Sequence, residues 1–124
     1  MMRTVCKGKI HGARITEAVL EYEGSITLPT DLIRKANIAP YERVQIVNLH
    51  NGSRTETYVI PGEEGSTTIC LNGPAARTAM VGDKVHILSY ALVNEDELEG
   101  LPIKMVYLDD KNRVKKTKEV SIEL

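Results

Sequence analysis

The chain has 124 residues, enough for one domain, with 42% hydrophobic and 27% charged residues. That is close to a globular average and excludes a disordered chain. Lys and Arg total 16 against 17 Asp and Glu, a net charge of -1 that excludes a protein held to nucleic acid by bulk positive charge.

Short strands dominate the pattern in chain order. Thr4 to Cys6 and Lys9 to Thr16 alternate and are β-branched; Ala18 to Tyr22 and Ser25 to Leu28 continue, broken at Glu23-Gly24. A short helix is predicted over 28–37, with Thr30 or Asp31 at its start and Asn37 at its end. Arg43 to Leu49 and Ser53 to Ile60 read as a hairpin across His50-Asn51-Gly52. A loop at 61–65 leads to a strand over Ser66 to Leu71, a turn at Asn72-Gly73-Pro74 and a helix over Ala75 to Met80. Lys84 to Val93 is a long strand, followed by a helical turn opened by Asn94. Met105 to Leu108 and Val114 to Ile122 flank a turn at Asp109 to Asn112. Many short strands with a few short helices predict a mainly β barrel. "LIRKANIAPYERVQIV" (32–47) also echoes "PAARTAMVGDKVHIL" (74–88), which suggests two pseudo-symmetric halves.

Trp and Phe are absent, so Ile, Val, Leu, Met and five Tyr must build the core. Cys6 and Cys70 have no CxxC spacing and read as free thiols of a reducing compartment. The opening MMRTVCKGKIHGAR has no apolar signal region, and no apolar run approaches the ~20 residues of a membrane span, so a cytoplasmic protein is expected. His11, His50 and His86 have no ligand spacing with the cysteines, so no metal site is expected. Neither a GxGxxG nor a phosphate loop occurs, and Ser89 lacks the glycines of a nucleophile elbow.

Two segments hold candidate anion-binding groups. Strand alternation in Lys7-Gly8-Lys9-Ile10-His11 puts three basic side chains on one face. In Arg54-Thr55-Glu56-Thr57-Tyr58 it puts Arg54 and Tyr58 together and Thr57 opposite. Arg54 either clamps a carboxylate through two hydrogen bonds or pairs with Glu56 or another surface acid.

These segments together resemble the pyruvoyl-dependent aspartate decarboxylase family. The likeness runs through Met-x-Arg-Thr, "GKIH" (8–11), "YEGSI" (22–26), "NGSRTETYVI" (51–60), "EEGS" (63–66), "NGPAAR" (72–77) and "VGD" (81–83), in order and spacing. It covers nearly the whole chain, although residues from Asn94 onward carry little of it. Pro74 stands where many relatives are expected to have Ala, which removes one N–H donor.

The resemblance implies a double-psi β-barrel over 1–124, assembled as a homotetramer with sites between subunits. It implies a zymogen cleaved by its own chemistry between Gly24 and Ser25 into a 1–24 chain and a 25–124 chain. Ser25 would attack the Gly24 carbonyl, β-elimination would cleave the ester, and hydrolysis would leave a pyruvoyl group derived from Ser25, with no metal and no pyridoxal phosphate. Thr57 would assist cleavage, with His11 near the site. The substrate implied is L-aspartate, held as a Schiff base on the pyruvoyl and decarboxylated to β-alanine, a pantothenate precursor. Lys9 and Arg54 would bind its carboxylates, Tyr58 would donate the proton, and Asn72, Gly73, Pro74 and Ala75 would surround the pyruvoyl with Tyr22 behind them. A maturation factor is a possible partner; no nucleic acid and no membrane are expected. The alternative comes from residues 24–47, which also resemble the swapped-hairpin DNA-binding modules of bacterial transition-state regulators.

Overall fold

Strand β1 (Met2–Arg14) is continuous where two short strands were expected. Bulges between Cys6 and Gly8 and between Ile10 and Ala13 absorb the breaks in alternation. The first leaves Lys7 without a partner on β7, yet Lys7, Lys9 and His11 are all half-buried while Gly8 and Ile10 between them are buried, the alternation the sequence predicts. A Cβ on Gly8 would lie 2.4 Å from the carbonyl oxygen of Ala36, so glycine there lets the segment after the helix pack directly on β1. The computed structural model describes residues 1–22 and 24–124; Glu23, placed in a break between strands by the sequence, lies outside the described residues.

Next come β2 (Glu17–Val19), β3 (Ser25–Pro29) and the helix α1 (Thr30–Lys35). The helix starts at Thr30, as expected, yet neither Thr30 nor Asp31 caps it, because both side chains are engaged by the end of β5 (Arg54–Gly62) and the loop after it. The Thr30 hydroxyl donates to the Gly62 carbonyl at 2.6 Å, and Asp31 accepts the Gly65 N–H at 2.9 Å. β4 (Arg43–Asn48) and β5 form the expected hairpin, with Gly52 at φ 73 donating its N–H to the Asn48 carbonyl at 2.9 Å. Pro61 sits inside β5, past its last β4 partner at Tyr58, where its missing N–H leaves no gap in that ladder.

β6 (Cys70–Asn72) is shorter than predicted, and a 3-10 helix (Gly73–Arg77) replaces the expected helix over 75–80. Pro74 lies in its first turn, where no N–H is needed. β7 (Lys84–Asn94), a 3-10 turn (Glu95–Glu97), β8 (Pro102–Leu108) and β9 (Val114–Ser121) follow the expected order. The nine strands form one mixed sheet, β2-β6-β3-β5-β4-β7-β1-β8-β9, in a mainly β fold of the double-psi barrel kind whose end strands β2 and β9 do not pair. The exposed edge β9 carries Lys115, Lys116 and Lys118, charges that oppose edge-to-edge association.

Ile10, Ile26, Leu28, Val44, Ile46, Val59, Leu71, Val85, Ile87 and Val106 fill the centre. No aromatic ring is needed there, because β-branched and leucine side chains interdigitate between the curved strand layers.

The suspected repeat is a real two-fold. β4 and β7 pair antiparallel about Ile46 opposite Ile87, which makes Val44 equivalent to Val85 and Asn48 to Ser89. The turns before these strands match atom for atom. The N–H of Tyr41 donates to Val59 and the Val59 N–H to Glu42, at 2.7 and 3.1 Å; Gly82 donates to Ile15 and Ile15 to Asp83, at 2.7 and 3.0 Å. Both carboxylates reach across: Glu42 accepts the Ser89 hydroxyl, and Asp83 accepts the Asn48 amide at 2.9 Å.

Candidate active site

Ser25 opens β3 and is fully buried. Antiparallel pairing sets it opposite Asn72 on β6. The Asn72 side-chain N–H2 donates to Ser25 Oγ at 2.8 Å and to Thr27 Oγ1 at 3.1 Å. Its oxygen accepts the Cys70 thiol at 3.2 Å. Burial and the neighbouring Glu17 carboxylate push the Cys70 thiol up, so it stays protonated and able to donate. With its oxygen taken by the thiol, Asn72 turns both amide protons toward hydroxyls. An N–H held against Ser25 Oγ stabilises negative charge developing on that oxygen.

Gly73 follows with φ 68. A Cβ there would lie 2.7 Å from the Tyr22 carbonyl oxygen and 2.8 Å from the N and Cα of Gly24. Only glycine lets the turn press against the backbone just ahead of Ser25. Tyr22 meets the turn through this carbonyl, while its ring is exposed. A Cβ on Gly24 itself would meet only Pro74 Cδ, at an ordinary 3.8 Å. Space therefore does not dictate glycine at 24.

Gly24 borders an open cleft of about 530 Å³ lined also by Thr55, Glu56, Thr57, Tyr58, Pro74, Ala75 and Thr78. Thr57 and Tyr58, on opposite faces of β5, both contribute to it. Tyr58 lies parallel to Tyr41, with ring centroids 6.1 Å apart and 18° between planes. Among the described residues Glu56 is the one charged group in the lining, and it pairs with Arg43.

Arg54, Lys9 and His11 do not line this cleft. Arg54 donates to Gln45 at 3.1 Å and makes no ion pair among the described residues; Glu56, the acid named as its alternative partner, pairs with Arg43 instead. Lys7 pairs with Glu42 at 2.9 Å and is committed to the fold. His11 stacks on His86 at 4.0 Å between centroids and lies 5.1 Å from the Tyr107 ring. Burial, then the neighbouring Lys9, Lys84 and Lys115 charges, lower the pKa of His11. Burial, His11 and Lys9 bring His86 down to about 4. Its Nδ1 accepts the Gly12 N–H at 3.1 Å, as a neutral imidazole must.

The residues singled out from the sequence thus fall into two separate groups on one chain. One is the nucleophile cleft, holding Gly24, Thr57, Tyr58, Pro74 and Ala75, with Ser25, Asn72 and Gly73 beside it. The other is Lys9, His11 and His86 on β1 and β7, with His11 stacked on His86. Thr55, Glu56, Thr78 and Cys70 were not singled out from sequence. Alternation on β5 already implied Thr55 beside Thr57, whereas no local signal tied Cys70 to Asn72.

The aspartate decarboxylase family matches residues 1–115. The aspartate 1-decarboxylase of Leptospira biflexa is 56% identical over 117 residues, covering 94% of this chain and 99% of that protein. That of Listeria monocytogenes is 51% identical over 114 residues, 92% of this chain and 90% of that protein. That of Carboxydothermus hydrogenoformans is 50% identical over 122 residues, covering 98% and 96%. A match of this extent, on a mainly β fold that buries Ser25 beside an open cleft, places the chain in the aspartate decarboxylase family.

Proposed function

We propose that this chain decarboxylates L-aspartate to β-alanine, supplying pantothenate synthesis in the cytoplasm, after cleaving itself between Gly24 and Ser25. The single observation that carries the cleavage is a buried Ser25 whose Oγ accepts a 2.8 Å hydrogen bond from Asn72, directly after a glycine at a cleft. Ser25 Oγ bonds to the Gly24 carbonyl carbon as the peptide C–N bond breaks, giving an ester. Loss of the Ser25 α-proton expels the 1–24 chain as a carboxylate. Water then converts the remaining dehydroalanine to a pyruvoyl and releases ammonia. Thr57, which lines the same cleft as Gly24, assists the first step, and the Asn72 amide steadies the oxygen.

The residues suit that group: Ser25 is the only carbon source it needs, and Asn72, Gly73, Pro74 and Ala75 border it. Once formed, the pyruvoyl supplies a ketone for the substrate amine and a sink for the electrons left by departing CO2. The chain's own groups do the rest. Tyr58, whose phenol borders the cleft, donates the proton that replaces CO2. Arg54 binds one substrate carboxylate bidentately, and Lys9 adds a point charge with His11 beside it.

The lining of the cleft carries no cation within one chain, and a dianionic substrate needs two. That supports a homotetramer in which one subunit's Lys9–His11 surface completes its neighbour's cleft. A maturation factor remains a candidate partner for the cleavage step. The free thiols of Cys6 and Cys70 suit a reducing compartment. The DNA-binding alternative drew on residues 24–47 alone, against a family match over 1–115.

The test is the denatured mass of the purified protein. Wild type should give a 1–24 chain and a 25–124 chain lighter by one ammonia than a free N-terminal serine would make it. Ser25→Ala should give one intact 13.8 kDa chain with no β-alanine formed from aspartate. Normal cleavage of Ser25→Ala would refute the mechanism.

A further inference from the structure

Tyr41 has a left-handed backbone, φ 67, which is a strained conformation for a bulky side chain. Its two-fold equivalent in the other half is Gly82, at φ 96, the residue that conformation ordinarily selects. The backbone fixes residue 41 tightly: its N–H donates to Val59 at 2.7 Å, and Val59 donates back to Glu42. Core packing does not reward the tyrosine, since its side chain is 70% exposed. What the ring does touch is Tyr58, one residue from that clamp, in a near-parallel stack.

We infer that Tyr41 is a positioning residue for Tyr58: the Glu42–Val59 clamp aims a strained, exposed ring onto the phenol that borders the cleft and narrows its orientations. This rests on Tyr58 as the proton donor. Tyr41 touches no reacting atom. Its contribution is the restriction of Tyr58, so it should appear in kcat rather than in substrate binding.

Tyr41→Asn removes the ring and installs a residue that tolerates this backbone; Tyr41→Phe keeps the ring. In the cleaved, assembled enzyme, Tyr41→Asn should lower kcat for aspartate by about three- to tenfold, the range of a lost stacking contact. KM should change less than about twofold and Tm should hold or rise, while Tyr41→Phe should match wild type. In the Tyr58→Phe background, adding Tyr41→Asn should cause no further loss. An unchanged kcat in Tyr41→Asn, a fall in Tm that accounts for lost activity, or additive losses in the double variant would each overturn the inference. If Tyr58→Phe alone, normally cleaved, keeps full activity, the proton-donor reading fails instead, and Tyr41 loses its role with it.

Discussion

The two halves related by the β4–β7 two-fold share a frame and differ in what they mount on it. Each has a turn whose N–H bonds a neighbouring strand, a carboxylate reaching across the axis and a Val-x-Ile strand. The same holds at β3 and β6, which pair about Ile26 opposite Leu71. That pairing makes Ser25 equivalent to Cys70 and Thr27 to Asn72. One position holds Ser25, a buried hydroxyl that accepts from the Asn72 amide; its mate holds a buried thiol that donates to the same amide. The duplicated hydrogen bonds specify the barrel. The residues to which the proposed chemistry is assigned stand where one copy departs from the other: Ser25 against Cys70, Asn72 against Thr27, Tyr41 against Gly82.

The sharpest way to break this comparison is at its hydroxyl–amide pair. Asn72→Ala removes the donor to Ser25 Oγ, and cleavage should slow by about 10²–10³-fold, the effect of losing one preorganised donor. Thr27→Val, at the equivalent place, removes only an acceptor for the same amide and should cost less than about tenfold. The half-life of the intact chain, followed by mass, reads both. Equal rates for the two variants would mean that the Ser25 contact does not set the chemistry.

Much of the frame was legible because its signals are local. Asn51-Gly52 fixed the hairpin, and the 32–47 and 74–88 echo foretold the two-fold. The helix over 28–37 and its start at Thr30 were legible, whereas the uncapped N-terminus was not, since Thr30 and Asp31 bond residues more than 30 positions away. The 66–71 strand failed because only its last two residues, Cys70 and Leu71, find partners on β2 and β3. At the site, the motifs named Ser25, Thr57, Tyr58 and Asn72, which the fold gathers around one cleft. The bulge at Lys7 was invisible, since nothing in "CKGK" declares which residue goes unpaired. Tyr41 carried a signal only through the repeat, which aligns it with a glycine.

A second test separates backbone demand from contact. Gly82→Ala meets strain but open space, so it should cost about 1–2 kcal/mol, a few degrees of Tm. Gly73→Ala meets the same strain and also the backbone of Tyr22 and Gly24. Its Tm should fall further, and cleavage should slow as the Gly24 carbonyl moves away from Ser25. If the two variants behave alike, the close approach at Gly73 is not what holds the scissile segment.

The smallest effect distinguishes the halves by charge. The β4–β7 axis makes Gln45 the equivalent of His86, so one half titrates where the other cannot. With its pKa held down to about 4 from 6.5, folded His86 stays neutral where the unfolded chain takes up a proton. Its contribution is therefore whole above pH 6.5 and is lost as pH falls through the window toward 4, levelling below it. His11 adds a loss of the same sign, since it too is held below its ordinary value. His86→Gln makes the two halves alike and leaves an oxygen to accept the Gly12 N–H. Its Tm between pH 7 and 4, by calorimetry, should fall less steeply than that of wild type. An unchanged slope would shift the acid sensitivity to carboxylates held below their usual range, such as Asp83, Asp109 and Asp110. Of these, Asp83 is held there by Asn48 and the Met80 N–H.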